Sequence, residues 1–143
     1  MKLKILKFNN VKSTNDEAIK LIKSNKFILG LVSANSQTNG RGTMGKKWIS
    51  YKGNIFISIF FKVNLIKIKI ENYLIINAKI IQKILNEYTK KIIEIKKPND
   101  LLIDEKKICG ILQEVIDHNK EKYFNIYGTG IHDFGCGCSN RAN

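Results

Sequence analysis

Apolar residues recur at two periods along this chain, and the way the periods alternate restricts the folds open to it. Glu71 to Lys90 follows the helical period through Tyr73, Asn77, Ile80, Ile81, Ile84, Leu85 and Tyr88, and is the strongest helical pattern in the chain. A shorter helix opens where Thr14 and Glu17 stand at capping-box spacing, and Ala18, Ile19, Leu21 and Ile22 supply its apolar face up to Ser24 and Asn25. The other patterned segments read as strands. Met1 to Phe8 has the loose lysine and apolar alternation of an edge strand. Ile28 to Ala34 and Asn54 to Phe61 follow, the second with Ile55, Ile57 and Ile59 on one face. Later come Ile92 to Lys96, Leu101 to Ile103, Ile108 to Ile116 and Tyr123 to Ile131, with turns at Pro98-Asn99-Asp100 and Asp117 to Lys120. Two helices among about six strands, several joined as hairpins, predict an α/β or α+β domain built on a mixed β-sheet flanked by helices.

At 143 residues the chain is the size of one domain, with enough length to hold a core without disulfide staples. Its longest purely apolar runs, such as Leu74 to Ile76, fall far short of the roughly 20 residues of a membrane span, and no signal-peptide pattern follows Met1. A cytoplasmic protein without a membrane partner is expected. The net charge of +13 resembles a nucleic-acid signature, yet of 25 cations only Arg41 and Arg141 are arginine, the usual reader of bases. A joint excess of lysine, isoleucine and asparagine is what an AT-rich genome produces, so the charge is read first as a solvated surface. Cys109, Cys136 and Cys138 are expected as reduced thiols. His132, Cys136 and Cys138 lack the paired spacing of a structural zinc site.

Between two of the strands, Gly40-Arg41-Gly42-Thr43-Met44-Gly45-Lys46-Lys47-Trp48 gathers three glycines, three cations and the only tryptophan. Glycines let the backbone approach an anion, the cations offset its charge, and the indole offers a flat surface to a heterocycle. The combination points to a nucleotide. Gly40 to Lys46 also fits the first seven positions of the phosphate loop of nucleotide triphosphatases, but Lys47 stands where a hydroxyl should meet magnesium and no helix follows.

Other segments stand in a telling order around this loop. Ser13-Thr14-Asn15 opens the first helix, Gln37 precedes the glycines, Lys96-Lys97-Pro98-Asn99-Asp100 forms a turn, and Lys107-Ile108-Cys109-Gly110-Ile111-Leu112 and Gly128-Thr129-Gly130-Ile131-His132 follow. Taken together, from Met1 to about Ile131, the chain resembles the biotin protein ligases. The resemblance implies the biotin/lipoate ligase-like, class II synthetase-like catalytic fold, and an enzyme that joins biotin to ATP as biotinyl-5′-AMP and transfers biotin to one lysine of a carrier protein. Magnesium is the implied metal. The implied acceptor is the biotin carboxyl carrier domain of acetyl-CoA carboxylase or another biotin-dependent carboxylase, and homodimerisation is left open.

Carried over by position, Ser13, Thr14, Asn15 and Gln37 match residues that hold biotin, and Gly40, Arg41, Gly42 and Thr43 match the loop that closes over it. Lys107 matches the lysine at the reacting carboxylate, with Gly110 letting its strand pass close to the ligand. Arg41, Lys46, Trp48, Asn99, Asp100, Lys107 and Gly130 match the nucleotide side. The implied catalytic set is Lys107, Arg41 and Asp100, with Asp100 also at the metal.

The sequence departs from the family pattern at several points. Thr43 and Lys46 stand where arginines are common, Lys97 replaces the tryptophan of the turn, and His132 replaces an asparagine. The chain is therefore expected to comprise the N-terminal portion of the catalytic domain over residues 1–131, then an atypical, unstructured tail over 132–143. Neither the family's small C-terminal β-barrel domain nor the N-terminal helix-turn-helix of its repressors is expected, so no DNA partner is. A lipoate ligase of the same fold and an inactive truncated ligase are the related alternatives. A basic nucleic-acid-binding module is the alternative of a different class.

Overall fold

A computed structural model describes residues 3–51, 53–63 and 69–131, with the backbone alone described over 125–131. The expected tail at 132–143, with His132, Cys136 and Cys138, lies outside the described residues, as do Met1 and Lys2. The elements run β1 (Lys4–Val11), α1 (Thr14–Lys23), β2 (Leu29–Gln37), β3 (Gly40–Arg41), β4 (Lys47–Trp48) and β5 (Ile55–Val63). They continue as α2 (Ile70–Asn86), β6 (Glu94–Lys96), β7 (Asp100–Ile103), β8 (Lys106–His118) and β9 (Glu121–Ile131).

Seven strands form one mixed sheet in the order β1-β2-β5-β9-β8-β7-β6, while β3 and β4 pair separately. β1 lies parallel to β2, with α1 as the crossover between them, and the other neighbours are antiparallel. Strand alternation divides the residues between two faces. On one, Ala18 and Ile22 of α1 pack against Val32, Phe60 and Tyr123. On the other, Ala78 and Leu85 of α2 pack against Ile93, Leu101, Ile103, Ile108, Cys109 and Ile111. The two helices thus flank opposite faces of the sheet, as the mixed-sheet expectation required.

Several expected boundaries move. The first strand runs three residues past Phe8 to Val11, because parallel pairing with β2 continues through Val11 opposite Gln37. The expected break after Ala34 is also absent, and β2 continues to Gln37. Ser13, rather than Thr14, caps α1 by accepting from the Asp16 amide. In β5 the alternation buries Phe56, Ser58 and Phe60 and leaves Ile55 half exposed.

The longer helix ends at Asn86, four residues before Lys90, and its buried residues are Asn77, Ala78 and Leu85. Ile80 and Ile84, expected on the packed stripe, are each half exposed, and Tyr88 lies beyond the helix. Burial selects the stripe facing β7 and β8, and an isoleucine-rich helix carries more apolar residues than one stripe can use. Ile92 and Ile93 precede β6 rather than opening it, Asp100 is the first residue of β7 rather than part of a turn, and Asp117 and His118 remain in β8. Two tight hairpins account for the last points. Asp104 and Glu105 join β7 to β8, and Asn119 and Lys120 join β8 to β9, each pair at positive φ as two-residue hairpins require.

Candidate active site

The polar residues of the first helix opening meet the rest of the site on the α1 side of the sheet. Ser13, Thr14 and Asn15 are fully buried, which a helix start tolerates only when its donors find partners. Gln37, at the end of β2, supplies one: its Oε1 accepts from the Thr14 amide at 2.8 Å and from the Thr14 hydroxyl at 3.2 Å. The buried Ser58 hydroxyl donates to Thr14 Oγ1 at 2.9 Å, and Gln37 Nε2 donates to Ser50 Oγ at 3.3 Å. Ser58, Thr14, Gln37 and Ser50 therefore form one hydrogen-bonded chain beneath the glycine loop.

The loop folds as a small hairpin, with Gly40 opposite Trp48 and Arg41 opposite Lys47. A Cβ on Gly40 would stand 2.9 Å from the Trp48 carbonyl oxygen and 3.1 Å from Gln37 Nε2, so only glycine lets the loop lie this close to the polar chain. At the tip, Met44 and Gly45 adopt positive φ, and Thr43, Met44 and Lys46 are exposed. Arg41 turns back from the loop. Its Nη2 lies 3.0 Å from Asp16 and 3.5 Å from Glu114.

Lys107 reaches the same face through an irregularity. Gly110 lies three positions after it, an odd step that in a regular strand would put the two on opposite faces. The β7–β8 register, however, pairs Leu101 with Cys109 and Leu102 with Lys107, which leaves Ile108 as the extra residue of a bulge. The bulge returns Lys107 to the side of Gly110 and Asp100. Lys107 Nζ then lies 2.8 Å from Asp100 Oδ1 and 4.9 Å from the centre of the Trp48 ring. The contact with Asp100 is an ion pair whose angles are not those of a hydrogen bond. A Cβ on Gly110 would meet Lys107 Cε at 3.0 Å and the Trp48 ring at 3.1 Å. Trp48 Nε1 is buried with no hydrogen-bond partner among the described residues, a donor left for another group.

Of the remaining expected residues, Asn99 donates from Nδ2 to the Ile111 carbonyl and accepts the Ile111 amide on its own carbonyl, which clamps the turn to β8. Gly130 lies in the β9 backbone where the pairing with β5 shifts between Ile55 and Phe56. Lys46 is exposed and contributes its backbone, accepting the Gly42 amide and donating to Thr43. Behind the site, Cys109 faces the α2 core, and burial pushes its thiol up to about 12, the nearby Lys107 only partly opposing this.

Residues 8–131 match the model of the biotin/lipoate A/B protein ligase family. The chain belongs to that family. It is 32% identical over 121 residues to the bifunctional ligase/repressor BirA of Bacillus subtilis, covering 84% of this chain and 37% of that protein. Among solved structures it resembles the biotin protein ligase of Aquifex aeolicus in complex with biotin and ATP. The TM-score there is 0.73 at 25% identity, over 93% of this chain and 54% of that one. The biotin acetyl coenzyme A carboxylase synthetase of Helicobacter pylori shares the fold with a TM-score of 0.75 at 21% identity, over 99% of this chain and 68% of that one. The chain thus spans little more than a third of the curated relative and about half of the Aquifex ligase.

Within this family member, sequence reasoning missed Glu114, Asp16, Ser58 and Ser50. Asn15 Nδ2 donates to Glu114 Oε2 at 2.6 Å across 99 residues of chain, and Ser58 meets Thr14 across 44. The signals that could have found them were period-two patterns: Glu114 stands four residues after Gly110, and Ser58 lies midway between Phe56 and Phe60.

Proposed function

We propose that this ligase-family chain forms biotinyl-5′-AMP from biotin and ATP and passes biotin to a lysine of a carboxylase carrier domain. The observation that carries the reading is the convergence, on one sheet face, of the Ser58-Thr14-Gln37-Ser50 chain with the Lys107-Asp100-Trp48 cluster. The polar chain suits a heterocycle that offers its own N–H and C=O groups. A dithiolane ring has no such groups to place beside the polar chain, which favours biotin over lipoate.

In the first half-reaction the biotin carboxylate attacks the α-phosphorus of ATP and pyrophosphate leaves. Ser13, Thr14, Asn15 and Gln37, with Gly40 to Thr43 above them, bind and orient the acid. Lys107 brings a positive charge to the point where carboxylate and phosphate meet, and stabilises the charge that builds there. Trp48 supplies an aromatic surface, and an N–H with no partner among the described residues, on the nucleotide side, where Arg41, Lys46, Asn99, Asp100 and Gly130 are assigned. No enzyme nucleophile is required, so positioning and electrostatics account for the rate. In the second half-reaction the carrier lysine amine attacks the mixed anhydride and AMP leaves.

Among the described residues no group of three or more His, Cys, Asp or Glu side chains could hold a metal. Asp100, a single carboxylate already beside Lys107, fits magnesium carried in by the nucleotide's phosphates rather than a resident ion. There magnesium would supply charge neutralisation. ATP as substrate agrees with a cytoplasmic setting, and among the described residues no helix is long and apolar enough to cross a membrane.

The test is ATP–pyrophosphate exchange with magnesium, comparing biotin, lipoate and no acid. Exchange that depends on biotin is expected; exchange supported by lipoate and not by biotin would overturn the choice of acid, and exchange with neither would overturn the activity.

A further inference from the structure

Glu114 lies mid-strand in β8, on the Gly110 side of the sheet, and it touches two segments far away in sequence. Its Oε2 accepts from Asn15 Nδ2 at 2.6 Å, in the first turn of α1, and lies 3.5 Å from Arg41 Nη2, in the glycine loop. Asp16 completes the cradle at 3.0 Å from the same guanidinium nitrogen. Glu114 is about one-third exposed and Arg41 only slightly more, so water screens this pairing in part. Arg41 Nε is buried and has no hydrogen-bond partner among the described residues, so the contacts that hold the side chain are those of Nη2. The loop's own backbone bonds, Gly42 to Lys46 and Lys46 to Thr43, close its hairpin without reaching α1. Beyond the four-residue β3–β4 pairing, its tip is exposed and two of its residues adopt positive φ.

We propose that Glu114 is a positioning residue for the acid-binding half of the site: one carboxylate joins the opening of α1 to the glycine loop and so fixes where Arg41 and the loop backbone stand. The carboxylate acts through these neighbours. Removing it frees the loop and leaves Asn15 without this acceptor, so the acid should bind less tightly while the reacting lysine on β8 keeps its place. The kinetic part of the inference rests on the ligase reading; the structural part does not.

The experiment follows Glu114→Ala and Glu114→Gln in the full chain by two readouts. The first is the rate of tryptic cleavage after Arg41 in the ligand-free protein, relative to cleavage after the exposed Lys26. The second is KM for biotin against kcat in ATP–pyrophosphate exchange. Glu114→Ala should raise relative cleavage at Arg41 and the biotin KM by about tenfold each, with kcat changed by less than about threefold, because the loss falls on orientation of the acid. Glu114→Gln keeps an acceptor for Asn15 but loses the charge facing Arg41, and should raise both by about threefold. Unchanged cleavage and KM in Glu114→Gln would overturn the proposal even if the alanine variant fails to fold. Faster cleavage at Arg41 and Lys26 alike, with KM unmoved, would also overturn it, by reducing Glu114 to a general structural residue. A wild-type chain without biotin-dependent exchange would count against the ligase reading alone, and relative cleavage at Arg41 would then decide the tether.

Discussion

On the α2 side of the sheet, β7 and β8 present Leu101, Ile103, Cys109 and Ile111, all buried against Ala78, Leu85 and Ile93. On the α1 side the same two strands present Asp100, Lys107, Gly110 and Glu114, which are charged or bare: Asp100 pairs with Lys107, and the other three meet α1 or the glycine loop. A few consecutive residues thus serve both a core and a site. Strand alternation separates the two roles, and the bulge at Ile108 adjusts the count so that Lys107 stands beside Gly110. Stability and activity should therefore be separable by substitutions one residue apart.

The sharpest way to break that separation is Lys107→Ala. Biotin-dependent ATP–pyrophosphate exchange should fall by about 10²–10³-fold, the scale for losing one electrostatic partner of a transition state, while the thermal midpoint stays near wild type. A comparable drop in the midpoint would show that the lysine belongs to the fold. On the opposite face, Leu101→Ala removes a fully buried side chain and should cost about 2–5 kcal/mol in urea unfolding. Exchange per folded molecule should be nearly unchanged.

Gly110→Ala perturbs the α1 face of β8 without changing charge. The new methyl would crowd Lys107 Cε and the Trp48 ring, so exchange should fall by about tenfold as the lysine is displaced, with little change in far-UV circular dichroism.

The smallest effect concerns Cys109, directly behind the site. Its thiol has an ordinary value of 9.0 and is raised to about 12 by burial, so between these values the unfolded chain loses a proton that the folded chain keeps. Ionisation then favours the unfolded chain, and the contribution falls by about 1.4 kcal/mol per pH unit as pH rises from 9 towards 12. Cys109→Ala lacks this term. The stability gap between wild type and the variant, measured by urea unfolding at pH 8, 9 and 10, should therefore narrow only above pH 9.

Much of this arrangement was legible in the sequence because the proposed site residues sit in short motifs. Ser13 to Asn15, Gln37, Gly40 to Trp48 and Lys107 to Gly110 are each local, and their order indicated the family. The mixed sheet with flanking helices followed from the two periods. What stayed hidden depends on contacts across the sheet. Glu114 reads as one more polar residue in a strand until β8 is placed beside α1, and Ser58 reads as a weak point in an apolar run. The bulge at Ile108 leaves no glycine or proline to mark it. The hairpins at Asp104-Glu105 and Asn119-Lys120 lack the glycine that usually announces them. The exposed Ile80 and Ile84 misled for the opposite reason, since apolar period alone does not say which stripe the sheet will cover.

The most direct test of a ligand-binding α1 face and a structural α2 face is backbone amide NMR during titration with biotin. Shift changes should gather at Ser13 to Asn15, Gln37 to Trp48 and Lys107 to Leu112, with α2 and β6 unmoved. Changes centred on α2 or β6, or none at saturating biotin, would contradict the assignment.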